Sequence, residues 1–426
     1  MRIRTWGGLL VAAALLATAC GGDDDDDGAA ATTTAGAADT TAAGGTDTTA
    51  GGGGGGAGEA CTGEPNDAVL KIGFAADFSE VGGASDIPAS ESAKWSVDQI
   101  NEAGGAGGSQ VELTVQNIDG DAARTQQAAQ ELLDSGVQAI LGPPFVNLGQ
   151  PLLTITQGEV PVISVATTDP AMANLELNSF LTAFSDPRQD GAAAELAYTD
   201  LGKKTAITFS SPDDPYFTNN PKWFTEAFEE LGGEVMQDFT YSLGDTDFSS
   251  QVNEIANMDP APEVLYTAMI MPLIGTLLGQ LKGAGLDDIV VIGSDAFDAT
   301  NVAAAGADAD GVYYTTHTFP EEGSALAAWM EAYEADNGKP IETVTFGALA
   351  DDAINLIVEA CTTAKSNDPA ALAEAMKGIE GFEGLTGSIT FAGTDGAPIK
   401  PVTIVKVEGG APTFFKNIEP TVVPEP

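Results

Sequence analysis

Five consecutive stretches, VLKIGFAA (69–76), ESAKWSVDQINEAGG (91–105), VELTVQN (111–117), RTQQAAQELLDSG (124–136) and VQAILGP (137–143), alternate short β-branched runs with longer amphipathic ones. The short runs are continuously apolar, the mark of parallel strands buried on both faces, while Ala129, Leu132 and Leu133 fall on one stripe of the helical segment between them. The order is βαβαβ, and a doubly wound sheet follows from it. The pattern restarts after Phe184. A helix over 187–201 leads to strand TAITFS (205–210), helix KWFTEAFEELGG (222–233) and strand EVMQDFTYS (234–242). Helix DFSSQVNEIANM (247–258), strand EVLYTAM (263–269), helix GTLLGQLKGAG (275–285) and strand DIVVIGSD (288–295) complete it. Gly232 and Gly285 stand where helices should stop. The expected fold class is therefore α/β: two doubly wound, Rossmann-like lobes joined by a hinge that the chain crosses several times, with the largely helical segment 323–378 packing back on one of them.

A chain of 426 residues is also too long for one ordinary core. It carries 16 Lys and Arg against 63 Asp and Glu, a formal charge of -47. That charge repels phosphate backbones and anionic headgroups, which argues against nucleic-acid partners and for a well-solvated surface. The first twenty residues, MRIRTWGGLLVAAALLATAC, set Arg2 and Arg4 before an apolar run and end on small residues, the layout of a secretory signal. Residues 21–60, with the run Asp23 to Asp27, Ala/Thr/Gly repeats and the run Gly51 to Gly56, have almost no aliphatic surface to bury and read as a tether. Taken as a flexible coil, it spans roughly 35 Å. Cys20 stands where a bacterial lipobox places the acylated cysteine, although Ala17 replaces the usual Leu; simple secretion is the alternative. Cys61 and Cys361 then form an even pair in an oxidising compartment, so a disulfide is expected, with two inert thiols as the alternative.

Enzymatic signatures are missing. There is no G-x-S-x-G elbow, no Walker A loop and only one histidine, His317, which reads as structural or exposed and has no second histidine for a zinc site. Asp308, Asp310 and Gly311 lack the first Asp and last Glu of a calcium loop and read as a solvated turn. No metal, cofactor or catalytic residue is expected.

Taken together, IGFAADFSEVG (72–82), VDQINEAGG (97–105), AILGPP (139–144), PVISVATTDPAM (161–172) and VIGSDAF (291–297) resemble the branched-chain amino-acid (Leu/Ile/Val) binding proteins of ABC importers, which have the type I periplasmic-binding fold. The resemblance runs from about residue 68 to 416. It implies lobe boundaries at 68–184 plus 318–390 and at 185–317 plus 391–417. It also implies a monomeric extracytoplasmic lipoprotein that captures an amino-acid-like or amide-like solute and delivers it to permease subunits, touching the membrane through its lipid anchor alone. A membrane-tethered sensor feeding a signalling partner is the alternative.

The resemblance further assigns the ligand's carboxylate to the loops around Asn147 and Ala166-Thr167-Thr168, the two threonines being open also to a helix-capping role. It assigns the ammonium group to Asp295, otherwise the cap of a local turn, and an aromatic cover to Tyr216. Two positions depart from the family: its first-lobe aromatic falls at Ser85, and a second-lobe tyrosine falls at Ile270. The serine pair expected near Asn147 is absent. The α-amino-acid clamp is thus incomplete, which leaves an amide-like or other amphoteric solute open.

Overall fold

The computed structural model describes residues 60–299 and 301–426. The expected signal segment, Cys20 and all but the last residue of the tether lie outside the described residues.

The first sheet is built from β1 (Val69–Ala76), α1 (Gly83–Glu102), β2 (Gln110–Asn117), α2 (Ala122–Asp134), β3 (Ala139–Gly142), α3 (Val146–Thr156), β4 (Val162–Ser164) and β5 (Ser179–Leu181). Its five strands are all parallel, in the order β2-β1-β3-β4-β5. The second sheet follows α4 (Asp186–Glu195). It takes up β6 (Thr205–Ser210), α5 (Pro215–Glu230), β7 (Glu234–Thr240), α6 (Ser249–Ala256), β8 (Val264–Thr267), α7 (Leu273–Gly283), β9 (Val290–Gly293), the short α8 (Ala296–Ala299) and β10 (Tyr313–Thr316). The chain then forms α9 (Ala325–Asn337), α10 (Val344–Ala364), α11 (Pro369–Lys377) and a small hairpin of β11 (Phe382–Gly384) and β12 (Gly387–Ile389), before β13 (Val402–Glu408) and β14 (Ala411–Ile418) complete a seven-stranded sheet. Its order is β14-β13-β10-β9-β8-β6-β7, with β13 alone reversed, antiparallel to both β10 and β14.

Continuously apolar strands demand cover on both faces, and each sheet has it. On one face of the first sheet, Leu70, Ile72 and Phe74 pack with Ala89 and Ala93 of α1 and with Leu349, Ala353 and Ile357 of α10. On the other face, Ala75 and Ile140 meet Leu132 of α2 and Leu152 of α3. The helical segment 323–378 therefore joins the first sheet. Trp95 of α1 meets Trp329 and Tyr333 of α9 edge-on, and Cys61 is disulfide-bonded to Cys361 of α10 across a sequence separation of 300. The second sheet has its own two clusters, one around Phe209, Leu265 and Leu277, the other around Phe224, Tyr266 and Ile404.

Several helices differ in extent from the pattern in the sequence. α1 begins at Gly83, well before Glu91, so SEVGGASDIP is largely helix rather than loop. α5 begins at Pro215 because Asp214 caps the Tyr216 N–H and proline suits a first helical turn. The helix expected over 187–201 is α-helical to Glu195 and widens to a π-turn over Leu196–Asp200. Gly232 and Gly285 do stop their helices, with φ of +100° and +73°.

The chain passes between the sheets three times: from β5 to α4, from β10 to α9, and from β12 to β13. The third passage keeps to the first sheet for part of its length, since Thr390 pairs with Ile399 and the Leu181 N–H donates to the Gly396 carbonyl.

Candidate ligand-binding site

Parallel sheets present their ligands at the carboxyl ends of strands. Thr167 and Thr168 follow the end of β4, and Ser294 and Asp295 follow the end of β9, so the two sheets offer these residues from separate frameworks. Asp295 is held on every side. Its N–H donates to Gln189 Oε1 (3.1 Å), Oδ1 accepts from the Tyr216 hydroxyl (2.5 Å) and Oδ2 lies 3.3 Å from His317 Nε2. Tyr216 Oη also lies 2.9 Å from Ser294 Oγ. Burial alone would raise the Asp295 carboxyl; the hydrogen bonds from His317, Tyr216 and Gln189 outweigh it and hold the group below the usual carboxylate range.

His317 is buried, stacked on Phe184 with ring centroids 3.9 Å apart. Burial pushes its ring down against the pull of Asp295. Nε2 faces Asp295, and Nδ1 is a buried nitrogen with no partner among the described residues.

Asp186, at the start of α4, lies between the two expected halves of the site. Its N–H donates to the Thr168 carbonyl (2.8 Å), and Gln189 Nε2 donates to its Oδ1 (2.8 Å). Burial first, then the charge of Asp295, push this carboxyl up to about 8. Asp190, one turn on, is also driven up by burial and by Asp186; it accepts from the Tyr266 hydroxyl, and its Oδ2 has no partner among the described residues. Gln189 organises the group, for its Oε1 also accepts from Thr315 and its Nε2 from a second direction meets Asn220.

The remaining expected residues make other contacts or are partly exposed. The Thr167 hydroxyl is turned away to the Pro143 carbonyl (3.1 Å), a loop-fixing bond. Ser85 sits in the first turn of α1 with its hydroxyl donating to the Gly82 carbonyl (2.9 Å). Asn147 is exposed in the first turn of α3, Ala166 is half-buried, and Ile270 is half-buried after β8. Asp186, Asp190, Gln189 and His317 were not singled out for the site by sequence reasoning. The signal that could have found the first three is DPRQDG (186–191), four polar residues among six at the first passage between sheets.

A family model described as periplasmic binding protein matches residues 69–411. The chain belongs to the periplasmic binding protein family. Leu/Ile/Val-binding protein homolog 1 of Brucella abortus (strain 2308) is 23% identical to this binding protein over 329 residues, 77% of this chain and 87% of the relative. The leucine-, isoleucine-, valine-, threonine- and alanine-binding protein of Pseudomonas aeruginosa is 24% identical over 300 residues, 70% of this chain and 79% of the relative. Among solved structures, the leucine binding protein LivK of Thermotoga maritima MSB8 superposes with a TM-score of 0.70 at 26% identity, covering 82% of this chain and 99% of that one. An R. palustris solute binding protein in complex with benzoate superposes at 0.66 and 20% identity, covering 84% and 98%. The binding protein thus has the type I periplasmic-binding fold, in a family of ABC-transporter solute-binding proteins rather than enzymes, which work outside the cytoplasm. Among the described residues, no helix is long and apolar enough to cross a membrane and no His/Cys/Asp/Glu group could hold a metal ion.

Proposed function

We propose that the protein is the capture subunit of an ABC importer, closing two lobes, 68–184 with 318–390 and 185–317 with 391–417, on an amino-acid-like or amide-like solute at Thr168 and Asp295. The observation that carries this reading is the convergence on Asp186: the Thr168 carbonyl of the first framework accepts from its N–H, and Gln189 links its carboxyl to the Asp295 N–H of the second. A molecule touching both sheets gains those contacts together only when the lobes close, and that differential affinity is what shifts the population. The closed form is then the one a permease recognises. Asn147 and the backbone of Ala166 line the first lobe's side of the same clamp, Tyr216 flanks Asp295 on the second, and Ser85, in place of an aromatic, leaves room for a larger solute.

Cys20 carries the lipid anchor, and residues 21–60 give the monomeric clamp its reach from the membrane. Cys20→Ala should then move the protein from the detergent phase to the aqueous phase in a partition assay; unchanged partitioning would refute the anchor.

Native mass spectrometry of the purified chain names the co-purifying solute, and calorimetric titration of that solute into Asp295→Asn tests the clamp. Loss of affinity by roughly 2 to 5 kcal/mol with the fold intact is expected. Wild-type affinity in that variant would remove Asp295, and with it the clamp, from the account.

A further inference from the structure

α10 begins without a cap of its own. Thr343, at its N-cap, makes no side-chain capping bond, and the first turn holds no acidic residue. A helix N-terminus favours a negative charge nearby. Here the charge comes from the other framework. Thr345 Oγ1, in that first turn, donates to Oδ2 of Asp298 (2.6 Å), which stands on the α8 turn after β9. The same oxygen accepts from Thr316 Oγ1 at the end of β10 (2.7 Å). Burial pushes the Asp298 carboxyl up, and the two hydroxyls resist it.

The bond lies where the two sheets turn their carboxyl ends to each other. α10 runs parallel to α1, for Ser92 donates to the Gly347 carbonyl and Ser96 to Asp351, so both helices start at the carboxyl end of the first sheet. Asp298 stands past the carboxyl end of β9, in the same turn as Asp295, whose carbonyl accepts the Asp298 N–H (3.1 Å). The Asp186 N–H to Thr168, Lys400 to Thr182 and Thr318 to Leu385 join the frameworks within or beside the passages and can pivot as these twist. Thr345 and Asp298 have no such freedom. Leu349 and Ala353 fix α10 in the core of the first sheet, and Phe297 fixes the α8 turn in that of the second. Moving the sheets apart by about 1 Å at this point breaks the bond.

Resting on the clamp reading above, we propose that Thr345 and Asp298 are the latch of the clamp: a bond made as the lobes close, which sets the fraction of molecules already closed before a solute arrives. The latch draws the turn carrying Asp295 towards the first lobe, and the apparent affinity for any solute scales with that closed fraction. Thr345 and Asp298 are thus positioning residues.

Pulsed electron double resonance on the full chain, with no solute added, reads the closed fraction. Nitroxides are coupled to p-acetylphenylalanine placed at Val81, past the end of β1, and at Thr246, past the end of β7; both positions are exposed, and the ketone chemistry leaves the cysteines untouched. The parent protein should give mainly the shorter of two distances. Thr345→Val keeps the shape of the side chain and loses the donor, and should raise the long-to-short ratio about threefold or more. Thr316→Val loses a bond to the same oxygen within the second lobe and should leave the ratio as it is. Asp298→Ala should behave as Thr345→Val does, and it decides alone if Thr345→Val does not fold. Two distances in a ratio that Thr345→Val leaves unchanged, or an equal shift from Thr316→Val, would overturn the latch and leave the clamp standing. One distance shared by the parent and every variant means that the lobes do not move, and the clamp then falls with the latch.

Discussion

Lys400 and Asp352 are joined inside the protein by a single hydroxyl: the Lys400 amine donates to Thr386 Oγ1 (2.6 Å), which in turn donates to Asp352 Oδ2 (2.5 Å). The amine also reaches the Thr182 carbonyl, and Asp352 takes the Leu385 and Thr386 N–H groups, so the first and third passages between the sheets are tied to α10. Burial, resisted by the other partner, pushes Asp352 up to about 6 and Lys400 down to about 8.

Removing one member of this pair strands the other. Lys400→Met should destabilise the protein by about 3 kcal/mol near pH 8. The loss should shrink below pH 6, where Asp352 takes a proton and no longer needs a counter-charge. Lys400→Met with Asp352→Asn should recover part of it. Urea unfolding of the three proteins at pH 5 and pH 8 is the measurement.

Reducing the Cys61–Cys361 bridge, or replacing both cysteines by serine, should cost about 2 to 5 kcal/mol, because the bond closes a very long loop in the unfolded chain. Thermal unfolding with and without reductant reads it, and the serine variant should show no response to reductant.

Asp186 fixes the sign of a pH dependence. Its folded value lies near 8, above that of an unfolded aspartate, so the folded chain holds a proton that the unfolded chain has given up between about pH 4 and 8. The stability it contributes is complete below pH 4 and is lost as pH rises through 8, by at most about 1.4 kcal/mol per pH unit. Asp186→Asn should flatten that decline in denaturant titrations of the solute-free protein; an unchanged slope would count against the assignment.

Gly293 closes β9 just before Asp295, and a Cβ there would stand 2.2 Å from the Phe297 ring, which is fully buried. Gly293→Ala should therefore cost about 1 to 3 kcal/mol of stability and weaken solute binding, as the ring and the Ser294–Asp295 turn shift. Thermal unfolding and solute titration on the same samples separate the two effects.

The sheets were legible because buried parallel strands write themselves as apolar runs, and the family followed from the order of VIGSDAF and its companions. Asp295 and Tyr216 came each from the resemblance alone, and that their side chains bond to one another was not read from the sequence. The roles of Asp186, Gln189 and His317 were not legible. Their chemistry depends on burial and on neighbours far along the chain, such as the 126 residues between Gln189 and Thr315, and single-sequence periodicity carries no such term. The segment around Ser85 has the glycines and proline of a loop, yet it is helical from Gly83, with Asp86 accepting from the Asp77 N–H.

The Cys61–Cys361 bond also decides how the protein bears a pull. β1 lies between β2 and β3, and a force on the chain from its amino-terminal side would otherwise peel it from the middle of the sheet. The bridge stands between that end and β1, so the load passes sideways into α10, whose buried face is packed along α1. A chain tugged at its leading end transmits the strain to α10 and leaves the strand that begins the fold slack.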